Sequence, residues 1–288
     1  MAIELRTPDV GELAGVVTAL RAWQHDASPM QLHPGDLGWH WRWGAEAVAA
    51  AVRTWSRDGQ LLAIGFLDGP DVLRATVAPP AWRDDTLAHR VVADLGDPSR
   101  GVLPAGKVAV EAPNGSRVQD LLTELGWGAG ESWTPLSRDL AKPVEATPLR
   151  LEVVTADRPD AFTAVHRSAW DSPRFTDDLW REMASGLPFA DARCLLARDA
   201  RGVAVAGVTV WSAGEGKPGL LEPMGVHADH RGRGHGRSIC VAAAAELRRM
   251  GASSALVCTE TARTAAVATY RSAGFRALPE RQDRSRDA

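Results

Sequence analysis

The amino-acid sequence predicts an α/β protein made of two successive units of about 140 residues each. Strand-like and helical segments alternate along the chain, and the order of the first half recurs in the second. The clearest repeat pairs VAVEAPNGSRVQDLLTELGW at 108–127 with ALVCTETARTAAVATYRSAGF at 255–275. Each reads as a strand, a polar turn and a helix, followed by a glycine and an aromatic residue. We therefore infer an internal duplication.

The first half is predicted to begin with a strand and a helix, followed by a tryptophan-rich stretch that becomes helical after Gly44. Two strands joined by Asp-Gly and Gly-Pro dipeptides come next, then a helix, a strand, a helix and a closing strand. In chain order the segments are IELR, the helix at 10–23, LGWHWRWGAEAVAAAVRTW, QLLAIGFLDG, DVLRATV, DTLAHRVVADL, GKVAVEAP, SRVQDLLTELGW and WTPLSRDL. The stretch AKPVEATP at 141–148 has two prolines and no periodicity, which predicts a linker after a domain at 1–140.

The second half, at 149–288, repeats this order and is predicted to be the second domain. It begins with a strand and two helices, continues with a hairpin and a strand, and ends with a helix, a strand and a final helix. In chain order the segments are LRLEVVT, PDAFTAVHRSAW, TDDLWREMASG, RCLLARD, VAVAGVTVWSA, GLLEPMGV, GRSICVAAAAELRRMG, SSALVCTE and RTAAVATYRSAGF.

The composition narrows the class of protein. A formal net charge of −3 gives no general attraction to nucleic acid or to an anionic membrane. The cysteines Cys194, Cys240 and Cys258 are odd in number and widely spaced, which argues against a disulfide framework or a zinc site and favours a reducing compartment. The N-terminus lacks the pattern of a signal peptide, and no apolar run approaches about 20 residues. We expect a cytoplasmic protein without a metal, nucleic-acid or membrane partner.

The stretch RGRGHG at 231–236 lies between a predicted strand and a predicted helix. The first amides of a helix are unpaired and, with the helix dipole, form a site for a pyrophosphate. Glycines let a phosphate approach these amides, and Arg231, Arg233 and Arg237 add positive charge. A Walker motif is absent, and the loop has GxGxG spacing rather than the GxGxxG of dinucleotide-binding folds.

Val226 followed by Arg231-x-x-Gly234-x-Gly236 resembles the coenzyme A loop, [RQ]xxGx[GA], of the GNAT (Gcn5-related) N-acetyltransferase superfamily. The segment TYRSAGF at 269–275 resembles the last helix and turn of that family, and the element order is similar from 149 to about 278. The resemblance implies two tandem GNAT-like domains, each a mixed, mostly antiparallel twisted sheet flanked by helices. The first copy is expected to be degenerate, because Pro79 and Pro80 replace the glycines of its loop and cannot donate amides.

The resemblance also implies acetyl-CoA as a co-substrate. Backbone amides of the loop would hold the pyrophosphate, the pantetheine arm would pair with the strand that ends at Val226, and the Val226 amide would face the thioester oxygen. The residues implied to bind the cofactor are Met224, Gly225, Val226, Arg231, Gly232, Arg233, Gly234, His235, Gly236 and Arg237. Where the family often has asparagine, this chain has Arg263, which removes one cofactor contact.

Two residues are implied to be catalytic. Tyr270, the only tyrosine of the chain, occupies the position that the family uses to protonate the departing thiolate; the alternative is a half-buried aromatic that packs beside Phe275. Glu222 lies on the strand that leads to the loop and could be the base. Many relatives carry the glutamate two residues earlier, where this chain has Leu220, so a solvent-facing role for Glu222 is equally open.

The family's acceptor cleft implies further contacts from the early helices of the second domain, namely Trp170, Asp171, Phe175 and Trp180. Asp171 could anchor a cationic acceptor. Trp39, Trp41 and Trp43 could also line this cleft, but we favour a place for them at the edge of the first core. His227, His230 and His235 have no metal-site spacing and are expected in a solvated loop.

We therefore expect an N-acetyltransferase that transfers an acetyl group from acetyl-CoA directly to a primary amine of a small molecule in a ternary complex. A protein N-terminus or lysine as acceptor stays open, as does a homodimer, and the pair of domains also resembles mycothiol synthase. The alternative from another class is a non-catalytic acyl-CoA-binding sensor. The position of Glu222 and the missing asparagine motivate it.

Overall fold

The computed structural model describes residues 2–287. Met1 and Ala288, the first and last residues of the two predicted domains, lie outside the described residues. The described α-helices are α1 Leu13–Trp23, α2 Pro34–His40, α3 Ala45–Ala51, α4 Asp85–Gly96, α5 Arg117–Glu124, α6 Asp160–Trp170, α7 Asp177–Ser185, α8 His235–Arg249 and α9 Thr264–Ser272. The described strands are β1 Glu4–Arg6, β2 Val52–Arg57, β3 Gln60–Leu67, β4 Val72–Val77, β5 Val108–Glu111, β6 Gly128–Asp139, β7 Arg150–Val153, β8 Ala192–Arg198, β9 Ala204–Trp211, β10 Gly219–Val226, β11 Ser254–Glu260, β12 Arg276–Ala277 and β13 Arg281–Arg286.

The strands form one mixed sheet with the order β1-β2-β3-β4-β5-β13-β6-β11-β10-β9-β8-β7, and β12 pairs with β6 beside this path. Only β4–β5 and β10–β11 are parallel among the described pairs. The predicted fold class, α/β with mostly antiparallel pairing in tandem units, is confirmed. Within the described residues, no helix is long and apolar enough to span a bilayer.

Three of the described strands were not predicted as such, namely β2, β12 and β13. Val52–Arg57 was assigned to the alanine-rich helix but forms β2, because β-branched and aromatic residues favour a strand and Trp55 is fully buried there. RQDRSR at 281–286 has no apolar residue, yet it forms β13. Its charges are tolerated because Arg281 and Asp283 are buried beside partners: Arg281 pairs with Glu111 at 2.8 Å, and Asp283 accepts from Trp133 Nε1 at 2.8 Å.

The sheet crosses the predicted boundary between the two units. The second part of β6 pairs with β11, from Trp133–Glu260 to Asp139–Ser254, while its first part pairs with β13. β13 in turn pairs with β5 of the first half. Residues 141–148 contain no helix or strand, but each half contributes a strand that the sheet of the other half needs. The two halves therefore form one structural body.

Helix α2 docks the first half onto the second. A Cβ added at Gly35 or Gly38 would lie 2.5 Å and 2.3 Å from atoms of the Trp211 side chain, so only glycine permits this approach. In the same way, a Cβ at Gly186 would lie 2.5 Å from Cγ of Trp41. His33 at the start of α2 also contacts the Pro218 carbonyl through Nε2 at 3.2 Å. These contacts fix the turn that follows α2.

A buried ion network lies at the junction of the halves. Arg74 on β4 contacts Asp36 at 2.8 Å and Glu111 at 3.0 Å, and Glu111 also contacts Arg281 on β13. The Arg74 side chain is only 14% exposed, and that of Asp36 only 2%. A buried pair adds little net stability, but removing one partner leaves an uncompensated buried charge.

We predict that Arg74→Met lowers the free energy of unfolding by about 3 kcal/mol, because it leaves the buried Asp36 carboxylate without its arginine and Glu111 with Arg281 alone. The matched control is Arg83→Met, which breaks the exposed Arg83–Asp120 pair and should cost less than about 1 kcal/mol. Equilibrium denaturant unfolding measures both. Equal losses in the two variants would contradict the assignment of Arg74 as a structural centre.

Candidate active site

A cavity of about 1250 Å³ lies where the two halves meet. The second half lines it with α6, β10, the loop at 230–237, the middle of β11 and α9, and the first half lines it with the turn after α2. The cavity volume exceeds that of an ordinary small-molecule pocket. It is therefore large enough for two substrates.

The gap between β10 and β11 forms the centre of the cavity. These strands pair in parallel only at Gly219–Ala255 and Leu220–Leu256 in the described chain. Beyond Leu220, β10 continues to Val226 with β9 on one side and no described strand on the side of β11. Its register on β9 shifts between Leu221 and Met224, around Pro223, which has no N–H to donate. The backbone from Leu221 to Val226 lines the cavity, so an extended ligand can pair there as an added strand.

The loop at 231–236 ends at the N-terminus of α8. Gly232 and Gly234 have φ of +73° and +81°, a region that favours glycine. Gly234 is the N-cap, and the Ser238 amide, bonded to the Gly234 carbonyl at 3.1 Å, is the first to pair within the helix. Among the described residues, the amides from Gly232 to Arg237 have no acceptor. They form an anion site together with the helix dipole.

The neighbouring side chains fix this loop. Arg231 Nη2 donates to the Ala169 carbonyl at 2.7 Å, and Arg237 Nε donates to the Ser272 carbonyl at 2.9 Å. Two of the arginines predicted to add positive charge thus hold the loop against α6 and α9. A Cβ at Gly236 would lie 2.9 Å from Cγ2 of Thr269, so this glycine allows α9 to approach α8.

Tyr270 on α9 lines the cavity and is 7% exposed. Its ring packs edge-on against Phe275, with centroids 6.1 Å apart. Tyr270 therefore both packs against Phe275 and lines the cavity. Burial raises the pKa of Tyr270 above its ordinary value, and negative charge on Cys240, Glu222 and Cys258 would raise it further. The phenol stays protonated at neutral pH and can donate a proton.

Glu222 also lines the cavity, on β10. Burial raises its pKa to about 8, repulsion from Asp36 adds to this, and Arg74 opposes it. Asp68 raises the pKa further. Asp36, Asp68 and Arg74 all come from the first half, so that half supplies the charges that modify the effect of burial on Glu222. A carboxyl with a raised pKa in a cleft is a typical candidate for a general base.

Comparison with known proteins assigns this geometry to a family. Residues 156–275 match the family model described as Acetyltransferase (GNAT) family. This match identifies a GNAT domain at residues 156–275. A search of curated protein sequences finds no significant match.

Solved structures show that the likeness extends over both halves. A GCN5-related N-acetyltransferase from Sphaerobacter thermophilus has a TM-score of 0.60 at 18% identity, covering 99% of this chain and 95% of the other. An acetyltransferase of the GNAT family from Colwellia psychrerythraea has a TM-score of 0.63 at 13% identity, covering 100% of both chains. A tandem GNAT protein from the clavulanic acid biosynthesis pathway gives 0.60 at 17%, covering 99% and 98%. These likenesses show the tandem fold.

The first half contains the counterpart of the GNAT loop before helix α4. There, a carboxylate of the protein itself lies at the helix N-terminus, where an anion would bind. Asp84 caps α4, and its carboxylate accepts from the Leu87 amide at 2.9 Å. Asp84 also pairs with Arg57 at 3.1 Å. Leu122, the counterpart of Tyr270, is fully buried. At the corresponding places this copy therefore has a carboxylate at the helix N-terminus and a leucine in place of a proton donor.

Three of the four predicted acceptor contacts line the cavity of the GNAT domain, namely Trp170, Asp171 and Phe175. Trp180 was wrongly predicted: it is 1% exposed and packs edge-on against Phe189 at 5.7 Å. It lies on the inner face of the amphipathic helix α7, together with Met183.

Arg42 and His166 also line the cavity, although neither was predicted as a site residue. Of the tryptophans, Trp39 and Trp43 line it, whereas Trp41 lies in the core at 5% exposure. The alternating WHWRW was the available signal. Which of these tryptophans face the cavity and which face the core depends on the contact with the other half, and the sequence does not show that contact.

The histidines of the loop lie near one another without forming a metal site. The ring centroids are 5.4 Å apart for His227 and His230, and 6.4 Å apart for His230 and His235. In the part of the chain that the structure describes, no group of three or more histidine, cysteine or acidic side chains is placed to hold a metal ion.

The raised pKa of Glu222 predicts a pH-dependent stability. The fold keeps Glu222 neutral up to about pH 8, whereas the unfolded chain ionises it near 4.5. The unfolded state binds fewer protons in this window, so wild-type stability falls as pH rises through it. Glu222→Gln mimics the neutral acid and should gain at least about 1 kcal/mol on the wild type between about pH 5 and about pH 8.5. Denaturant unfolding across this range measures the difference, and parallel curves for the two proteins would contradict the shift.

Proposed function

We propose that this protein transfers an acetyl group from acetyl-CoA to a primary amine of a small molecule. The observation that supports this most is that one cavity contains the unpaired amides of the α8 N-terminus, the open edge of β10, Tyr270 and Glu222. A pyrophosphate fits the amides, and an extended pantetheine arm fits the strand edge. The thioester would then lie between a base and an acid.

In this reaction the amine nitrogen forms a bond to the acetyl carbonyl carbon, and the bond from that carbon to sulfur breaks. Glu222 takes the proton that the amine loses, and Tyr270 gives a proton to the departing thiolate. The Val226 amide is proposed to donate to the oxygen that becomes negative in the tetrahedral intermediate.

The proton affinities of the two groups suit these roles. Glu222 acts as a base in its ionised form, whose population grows as the pH rises toward its pKa of about 8. This carboxylate is a stronger base than that of an ordinary glutamate, so it removes the proton of an ammonium group at a lower cost. Burial raises the pKa of Tyr270, and burial in the same cavity raises the pKa of the coenzyme A thiol as well. The phenol therefore remains able to protonate the thiolate.

A direct transfer is favoured over an acyl-enzyme. Cys258 is the cysteine that lines the cavity, and burial raises its pKa to about 11. The nucleophilic form of a cysteine is the thiolate, which is scarce at neutral pH under these conditions. We therefore propose that the amine itself attacks the thioester within a ternary complex.

The test measures release of free thiol from acetyl-CoA with a panel of small amines, for the wild type and for Tyr270→Phe. We predict that the variant binds CoA with wild-type affinity by calorimetry. Its kcat should fall by about 10-fold to 100-fold or more, since it lacks the proton donor. An unchanged rate would remove Tyr270 from the mechanism. CoA binding without thiol release from any amine would instead support a sensor that binds acyl-CoA.

A further inference from the structure

The wall of the cavity that comes from the first half has no part in the reaction as proposed. It consists of Trp39 at the end of α2 and of Arg42 and Trp43 in the turn that follows. This turn is fixed by the close contacts of Gly35 and Gly38 with Trp211 and of Trp41 with Gly186. The wall is thus preorganised, as a binding surface for a small molecule needs to be.

Arg42 carries a charge in this wall without an acidic partner in contact. One of its Nη1 hydrogens is donated to the Trp39 carbonyl, and no carboxylate of the described residues lies within 4.0 Å of its guanidinium. Arg74 contacts three carboxylates within that distance. A guanidinium has five donors in a planar fork that matches a carboxylate, so Arg42 retains donors for a ligand.

The environment of Arg42 keeps it charged. Burial lowers its pKa to about 10, while the more distant Asp68 and Glu222 counteract this. The group therefore remains cationic at neutral pH. The guanidinium carbon lies 4.1 Å from the Trp39 ring centre and 5.1 Å from that of Trp43, which orients its plane in the wall.

Aromatic rings cover the surface beside Arg42. The ring centroid of Trp39 lies 5.0 Å from that of Phe175 and 5.4 Å from that of His166. The His166 ring in turn stacks on Trp170, with centroids 4.2 Å apart. Trp43 and Trp170 are still 48% and 42% exposed, so their faces can take up more apolar area. These flat surfaces suit a planar, apolar group.

His166 adds a polar group that has no partner. Among the described residues, neither of its buried ring nitrogens has a hydrogen-bond partner. Burial and the positive charge of Arg42 lower its pKa to about 4, so the ring is neutral and offers one donor and one acceptor. Both nitrogens are closed to solvent, so the ring contributes to the wall as a neutral packed group rather than as a hydrogen-bonding contact for a ligand.

We propose that the acceptor is an amino acid with a planar, apolar side chain, such as an aromatic amino acid, whose carboxylate is bound by Arg42. This inference rests on the proposed function and names its substrate class. The amine of the acceptor points to Glu222, and its side chain lies among Trp39, Trp43 and Trp170. The acetyl group passes to the amine nitrogen as the bond to sulfur breaks, the amine proton goes to Glu222, and the sulfur takes a proton from Tyr270.

The test compares acceptors that differ by one group, in the wild type. Tryptophan and tryptamine differ in the carboxylate, and tryptophan and alanine differ in the ring. We expect tryptophan to exceed both in kcat/KM by at least about 100-fold, since a site built to pair a polar group discriminates strongly against its absence. Equal use of tryptophan and tryptamine would overturn the inference while leaving the acetyltransferase intact. Thiol release with none of these three acceptors would also overturn the inference, and the wider panel of amines then decides whether the acetyltransferase function stands.

Arg42→Gln assigns the preference to a residue. We expect this variant to lose the wild-type preference for tryptophan over tryptamine, because the carboxylate of tryptophan no longer has a cationic partner. The matched control is Arg174→Gln, which removes an arginine from the cavity lining outside the aromatic wall and should keep the preference. Loss of the preference in Arg174→Gln, with Arg42→Gln unaffected, would overturn the role of Arg42. The wild-type comparison needs no variant, so it tests the substrate class even if Arg42→Gln does not fold.

Discussion

The backbone amides that precede the first internal hydrogen bond of α8 are the constraint on which the rest of the site depends. Their exposure requires a left-handed bend at Gly232 and Gly234 and a strand, β10, that leaves its parallel neighbour after Leu220. Helix α9 can lie close enough to bring Tyr270 to the cavity because Gly236 has no side chain. The proposed anion binding, strand addition and proton donation thus depend on one local geometry.

The two halves have diverged in function while remaining one sheet. The first half has lost its own anion site, since the Asp84 carboxylate occupies the N-terminus of α4. It contributes instead the acids and the arginine that modify the pKa of the buried Glu222, and the aromatic wall with Arg42. Strand β6 of the first half pairs with β11, and β13 of the second half pairs with β5. These pairings fix the groups relative to the GNAT domain. A degenerate copy has in this way become a part of the active-site cavity.

Local features of the sequence predicted much of this structure. Glycine spacing between a strand and a helix predicted the loop, and the order of elements predicted the tandem fold. Trp180 was assigned wrongly because an aromatic residue on a short helix has the same local pattern in a core as in a cleft. Arg42, His166 and the burial of Glu222 were missed because they depend on contacts between residues far apart in sequence. β13 was missed because the partners that compensate its charges lie in another half of the chain.

The most direct test of the central claim is a calorimetric titration of CoA into the wild type and Gly234→Asp. Gly59→Asp is the matched control, because Gly59 has a similar positive φ with open space around it but lies in a hairpin turn outside the residues that line the cavity. The loop geometry predicts that the wild type and Gly59→Asp bind CoA alike, and that Gly234→Asp binds at least about 100-fold more weakly, because its carboxylate repels the pyrophosphate. Wild-type affinity in Gly234→Asp would contradict the account.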